Sequence, residues 1–165
     1  MSASMSLKQF LRYIEAFNAK DYKLQHSFYH KDVTLVIPDP EIGTLIGSAG
    51  IMNHYANVHA DAQETVVPRF VMIDGARIFL SMEAYFLYTR TTDRAVHSHK
   101  VKPGDVIRVK VWAVYDMLDG KMAKITCNAL SDEFLGQADV NKLIQESCNR
   151  VDENVKACWK PASVL

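Results

Sequence analysis

Residues 65–91 read Thr65-Val-Val-Pro-Arg-Phe-Val-Met-Ile73, then Asp74-Gly75, then Ala76-Arg-Ile-Phe-Leu-Ser-Met-Glu-Ala-Tyr-Phe-Leu-Tyr-Thr-Arg-Thr91. An Asp-Gly pair between two apolar runs is a strong hairpin signal, because a type I′ turn needs positive φ at both central residues. The device recurs at Asp119-Gly120, between Val106–Leu118 and Lys121–Leu130. Four strands joined in sequence, two of them long, predict a curved antiparallel meander. A curved sheet needs its concave face filled, and the residues before Thr65 are patterned to fill it.

Leu7, Phe10, Leu11, Ile14 and Phe17 recur at helical spacing, which predicts an amphipathic helix over 7–18, with Tyr13 at the edge of its stripe. Asp21 is placed to cap a second helix carrying Leu24 and Phe28. Val33–Ile37 predicts a short strand halted at Pro38, and loop runs on to Gly47. Ser48 is a candidate cap for a third helix, with Ile51, Tyr55, Val58 and Ala62 on one face and His54 flanking it. Thr92–Gly104, with His97 and His99, is polar and too long for a tight turn, so an extra ribbon or flap is expected. After Leu130, Ser131-Asp132 should start a helical turn. Residues 138–160 then carry an apolar stripe from Val140 to Cys158, read as a C-terminal helix. The expected class is α+β: a single domain with a core over about 7–136 and a helical extension over 137–165.

The 165 residues are enough for a substantial core. Nineteen basic and nineteen acidic side chains balance, so no basic footprint for nucleic acid or anionic membrane exists. No apolar run approaches the ~20 residues of a membrane span. The opening Met1-Ser-Ala-Ser-Met-Ser6 lacks the basic flank and apolar run of a signal peptide. Cys127, Cys148 and Cys158 have no metal-ligand spacing. Reduced thiols in a cytoplasmic protein are the expectation.

The order helix, helix, short strand, helix, meander, together with Leu11-Arg-Tyr-Ile-Glu-Ala-Phe-Asn-Ala-Lys-Asp21, Phe28-Tyr-His-Lys-Asp-Val-Thr34, Gly47 and the Asp119-Gly-Lys121 hairpin, resembles ketosteroid isomerases and SnoaL-like polyketide cyclases of the nuclear-transport-factor-2-like superfamily. The resemblance covers roughly residues 7–136 and implies a cone with an interior cavity. Fungal members that cyclise or isomerise natural-product intermediates are the nearest analogy. Tyr13 falls on the tyrosine that donates to the developing enolate oxygen in the isomerases. Their catalytic aspartate precedes a proline, where Ile37 precedes Pro38 here, and their second acidic donor falls near Val111 or Trp112. The steroid-isomerase residue set is therefore not retained. The strand 76–91 also supplies catalytic charges in limonene-epoxide-hydrolase-like members, where this chain has Glu83 and Tyr85.

Which parity of that strand faces the cavity is open: Ile78, Leu80, Met82, Ala84, Phe86 and Tyr88, or Phe79, Ser81, Glu83, Tyr85 and Leu87. In the second case Glu83 is a carboxylate in an apolar cavity, its pKa raised by desolvation, as a general acid or base near neutral pH requires. In the first it lies on a solvated or dimer-facing surface. The candidate catalytic set is Glu83, Tyr13 and His54. Phe17, Tyr55, Tyr85, Tyr115 and Asn128 are the candidate substrate contacts. His54 also reads as a structural helix-edge histidine, and Asn128 as a partner for a neighbouring strand. His97-x-His99 has one-face strand spacing without a third ligand, Asp39 and Glu41 read as turn acids, and Cys127 reads as buried filler.

The expected function is a cofactor-independent, metal-free enzyme of secondary metabolism. It would cyclise, isomerise or dehydrate a small apolar polyketide or terpenoid intermediate by proton transfer. The rival is a ligand-binding or assembly module on the same fold, with a cavity closed by packed aromatic side chains. A homodimer through Trp112 and Val114 on the outer sheet face is expected.

Overall fold

The computed structural model describes residues 4–37, 39–95 and 99–161. Its centre is one curved, unclosed sheet. The meander forms β3 (Ala62–Asp74), β4 (Arg77–Tyr88), β5 (Asp105–Leu118) and β6 (Lys121–Gln137), and β1 (Tyr29–Val36) and β2 (Thr44–Ile46) extend it in the order β2-β1-β6-β5-β4-β3. β1 runs parallel to β6, and the other pairings are antiparallel.

The two hairpins differ. Asp119 and Gly120 both have positive φ, +51° and +72°, as a type I′ turn demands. At the first hairpin Asp74 pairs with Arg77, so the central residues are Gly75-Ala76, one position later than expected. Gly75 has φ +54°, which puts the glycine first, as in a type II′ turn.

Helix α1 (Leu7–Asn18) begins with a capping box, Gln9 N donating to Ser6 Oγ and Ser6 N to Gln9 Oε1. Its stripe of Phe10, Leu11, Tyr13, Ile14 and Phe17 is buried in the concavity of the sheet, in one core with Leu80, Ala84, Ala113, Tyr115 and Ile125. Burying such a side chain is worth roughly 2 kcal/mol, so this one stripe anchors the helix. Asn18, at the end of α1, exchanges two hydrogen bonds with the backbone of Val66, at 2.8 and 2.9 Å, pinning the helix to the edge strand β3. Asp21 caps α2 (Tyr22–His26) as expected. Helix α3 (Gly47–Asp61) starts one residue before Ser48, with no side-chain cap.

Two expectations fail after Leu130. β6 runs straight through Ser131-Asp132 to Gln137, because Lys110, Val109 and Arg108 of β5 keep pairing with it. The C-terminal stripe is not one helix but α4 (Val140–Asn149) and α5 (Glu153–Lys156), with Asp152 capping the second. Both pack against β3 on the face opposite α1, and α4 also touches β4. Pro68 is tolerated because β3 is an edge strand, and a bulge follows it: Val67, Pro68 and Phe70 pair with β4, leaving Arg69 over.

Candidate active site

The parity left open on β4 resolves with Met82 facing inward. A cavity under the sheet is lined by Tyr13, Phe17, Tyr29, Tyr55, Glu64, Met82, Tyr115 and Cys127, with aliphatic side chains between them. It encloses about 40 Å³, room for a few water molecules. Tyr13, Phe17, Tyr29, Tyr55 and Tyr115 bring their aromatic rings to its wall.

The tyrosines form a connected group. Tyr13 and Tyr29 oxygens lie 3.3 Å apart, and Gln25 Nε2 donates to Tyr29 Oη at 3.0 Å. The Tyr13 ring meets Phe28, Tyr29 and Tyr115 edge-on at 5.9–6.0 Å. Burial raises all four phenols, Tyr13, Tyr55 and Tyr115 well above their ordinary range and Tyr29 less so, so each keeps its proton and can donate it in a hydrogen bond. Phe17 packs on Tyr55 at 5.3 Å, and Tyr55 lies 5.6 Å from the His59 ring.

Glu64 is the one charged residue among those that line this cavity. Its Oε2 lies 2.9 Å from His59 Nε2, with both side chains under a tenth exposed. On the far side of the ring, His59 Nδ1 meets Tyr22 Oη at 3.2 Å. The pair arises where α3 turns directly into β3: His59 occupies the last turn of the helix, and Glu64 shares the inward parity of Val66 and Ala62. Neither residue follows from sequence periodicities in which the helical face ends at Ala62 and the strand begins at Thr65. The signal was there in the alternation Ala62, Glu64, Val66, which puts a carboxylate on an apolar face.

Tyr13, Tyr55, Tyr115 and Phe17 are therefore brought together, and Glu83, Tyr85 and Asn128 are not. Glu83 faces outward beneath α4. Arg69 Nη1 donates to its Oε1 at 2.7 Å, and Tyr85 Oη, Ser147 Oγ and Arg150 Nη2 donate to Oε2 at 2.8, 2.6 and 2.8 Å. The expectation of a raised pKa is reversed. Burial alone pushes it up, but the hydrogen bonds from Ser147 and Tyr85 and the charge of Arg150 outweigh this and hold the carboxyl at about 2. Tyr85 is wholly buried in the same cluster. Asn128 is exposed on the outer face opposite Trp112. His54 packs its ring on Tyr55 at 5.0 Å and does not line the cavity; burial, and then His59, lower its pKa, which favours the neutral ring.

The remaining candidates fall to local roles. Asp39 Oδ1 accepts from Glu41 N within a turn. Cys127 lines the cavity, but burial and the nearby Glu64 push its thiol up to about 12, so it stays protonated. His99 bonds Asp132 at 2.7 Å and stacks on Phe134, and His97 lies outside the described residues. Among the described residues no group of three or more His, Cys, Asp or Glu side chains converges.

The SnoaL-like domain model matches residues 10–125, which takes in every cavity-lining residue up to Ile125. This chain belongs to the SnoaL-like family. No curated protein matches it. Among solved structures, a candidate polyketide cyclase from Pseudomonas putida KT2440 aligns at 17% identity and TM-score 0.63, over 86% of this chain and 98% of that one. A candidate ketosteroid isomerase from Kribbella flavida aligns at 12% and 0.54, over 76% and 78%. TerC, crystallised with polyporic acid, aligns at 19% and 0.56, over 86% and 98%. At such identities the likeness is one of fold, the SnoaL-like cone. The outward cluster around Glu83 draws on Ser147 and Arg150, beyond the matched segment of this SnoaL-like chain.

Proposed function

We propose that this SnoaL-like protein is an isomerase or cyclase that moves protons on a small, apolar, oxygenated intermediate of the polyketide or terpenoid kind. The observation that carries the reading is Glu64: a single carboxylate, with one histidine partner, bordering a cavity whose other polar groups are neutral phenols and the Cys127 thiol. A carboxylate with lone pairs to spare can take or give a proton, and phenols 3–6 Å from one another's rings and oxygens can stabilise the oxygen on which charge develops. Glu64 is the proposed base and acid. Tyr13, steadied by Tyr29 and Gln25, is the proposed donor to the reacting oxygen. Phe17, Tyr55 and Tyr115 form the walls.

The test is carbon–hydrogen exchange. A panel of cyclic ketones and enolisable polyketide fragments is incubated with the protein in heavy water and followed by NMR. Exchange next to the carbonyl that depends on the protein, and falls at least a hundredfold in Glu64→Gln, supports the reading; equal exchange in the variant sinks it.

A second reading is favoured by one feature, the 40 Å³ left between packed aromatic rings. A cone this full suits a binding or assembly module. A ligand larger than a few waters must displace rings to enter. Binding of the panel without any exchange would favour this alternative.

The reading includes a homodimer in the cytoplasm. Phe70, Phe79 and Trp112, from three adjacent strands, form an aromatic row at 6.4 and 5.8 Å on the outer sheet face, flanked by exposed Met72 and Val114. An apolar row of this length facing water is suited to a second copy of itself.

A further inference from the structure

Three residues join the cavity to the outside of the molecule in a continuous line. Glu64 borders the cavity, His59 bridges, and Tyr22 stands half-buried on the first turn of α2. Every link is short, 2.9 Å from Glu64 Oε2 to His59 Nε2 and 3.2 Å from His59 Nδ1 to Tyr22 Oη. The His59 ring is held by Phe17 of α1 at 5.9 Å and Tyr55 of α3 at 5.6 Å. The groups that face it are Tyr22 from α2, Tyr55 and the nearby His54 from α3, and Glu64 from β3. No lysine or arginine stands among them.

We propose that Tyr22, His59 and Glu64 form a proton relay between the tyrosine-lined cavity and solvent. The inference rests on the reading of Glu64 as the carboxylate that exchanges protons with substrate. With Glu64 ionised and the ring neutral, Nε2 must carry the hydrogen that faces the carboxylate, which leaves Nδ1 to accept from Tyr22. The line is then polarised inward. Water gives a proton to Tyr22 Oη as the tyrosine's own hydrogen passes to Nδ1; the Nε2 hydrogen passes to Glu64, and Glu64 protonates the substrate. One proton enters at the surface and one leaves into the substrate, with no change of charge along the line. The ring is left with its hydrogen on Nδ1 and Nε2 open, the arrangement that carries an abstracted proton outward. Delivery and removal therefore alternate, and protons on product derive from solvent.

The test needs no substrate. Full-length protein labelled with ¹⁵N-histidine is examined by NMR at pH 8. The ring of His59 is expected as the Nε2–H tautomer with Nδ1 a hydrogen-bonded acceptor; a ring protonated at Nδ1 overturns the inward polarity. Exchange of the Nε2 hydrogen with water is then measured by magnetisation transfer. Tyr22→Phe keeps the ring that packs on α2 and removes only the relay oxygen, so exchange should slow at least tenfold, with the amide spectrum otherwise kept. Lys23→Ala, exposed on the same helix as Tyr22 and outside both relay and cavity, should leave the rate within twofold. Unchanged or faster exchange in Tyr22→Phe overturns the relay, since the hydrogen then escapes by opening of the structure. Such a failure leaves the carbon-exchange reading of Glu64 standing. A sound relay beside an absence of carbon exchange condemns the proposed reaction instead.

Discussion

Two carboxylates are buried on opposite faces of the same sheet, and their surroundings differ. Glu83, outside, accepts from Arg69, Tyr85, Ser147 and Arg150, and its carboxyl is held at about 2. Glu64, inside, has His59 on one oxygen and the cavity beside it. Burial is common to both, so burial alone does not tell them apart. What separates them is the number of hydrogen bonds already accepted: Glu83 accepts four from the protein, two of them from arginines, whereas Glu64 has one histidine partner and borders the cavity.

The sharpest way to break this contrast is to neutralise each acid in turn. Glu64→Gln should lower turnover at least a hundredfold, about 3 kcal/mol or more of barrier, while the melting temperature moves little. Glu83→Gln should do the reverse. It strands Arg69 and Arg150, whose side chains are 28% and 42% exposed, so the full cost of breaking a buried pair is discounted to about 2–3 kcal/mol, roughly 5–10 °C in Tm, with turnover per folded molecule kept within threefold. A Glu83→Gln enzyme that is stable but inactive would overturn the assignment of roles.

Acid sharpens the same contrast. The Glu83 pKa is depressed in the folded state, from an ordinary 4.5 to about 2. Its stabilisation is therefore fully present above pH ~4.5 and lost as pH falls toward 2, on the order of 3 kcal/mol in all. Denaturant titrations at pH 7, 4 and 3 should show this loss in the native chain, and Glu83→Gln should lack that part of it. An unaltered pH dependence in the variant would place the acid sensitivity elsewhere.

Tyr13→Phe probes the inner face more gently. It removes one neutral donor while Tyr29 and Tyr115 stay in place, so a tenfold to thirtyfold fall in turnover is expected, about 1.5–2 kcal/mol, with substrate affinity nearly kept. An undiminished rate would pass the donor role to another phenol. The smallest effect belongs to the outer aromatic row. Trp112→Lys should shift light scattering from twice the 18.6 kDa chain mass to the chain mass itself, for a loss of about 1–2 kcal/mol of association. A native chain that scatters as 18.6 kDa at micromolar concentration would remove the dimer altogether.

Local chemistry alone determined much of this protein. The Asp119-Gly120 turn, the Asp21 cap, the stripe of α1 and the length of the meander strands follow from backbone sterics and periodicity, which act over a few residues. The cone followed from their order. The bulge at Arg69, the passage of β6 through Ser131-Asp132 and the break before Asp152 did not, because each is fixed by pairing with residues distant in the chain. The site divided along the same boundary. Tyr13, Phe17, Tyr55 and Tyr115 were legible as apolar-face aromatics. The facing of β4 was not: both of its parities are apolar, one buried by the N-terminal helices and the other, in part, by α4, so only the tertiary structure decided that Met82 turns inward and Glu83 outward. Glu64 and His59 likewise acquire their meaning only when α3 and β3 meet: strand alternation puts the carboxylate on an apolar face, but a hydrogen bond to a residue five positions back across a helix-to-strand corner belongs to neither period.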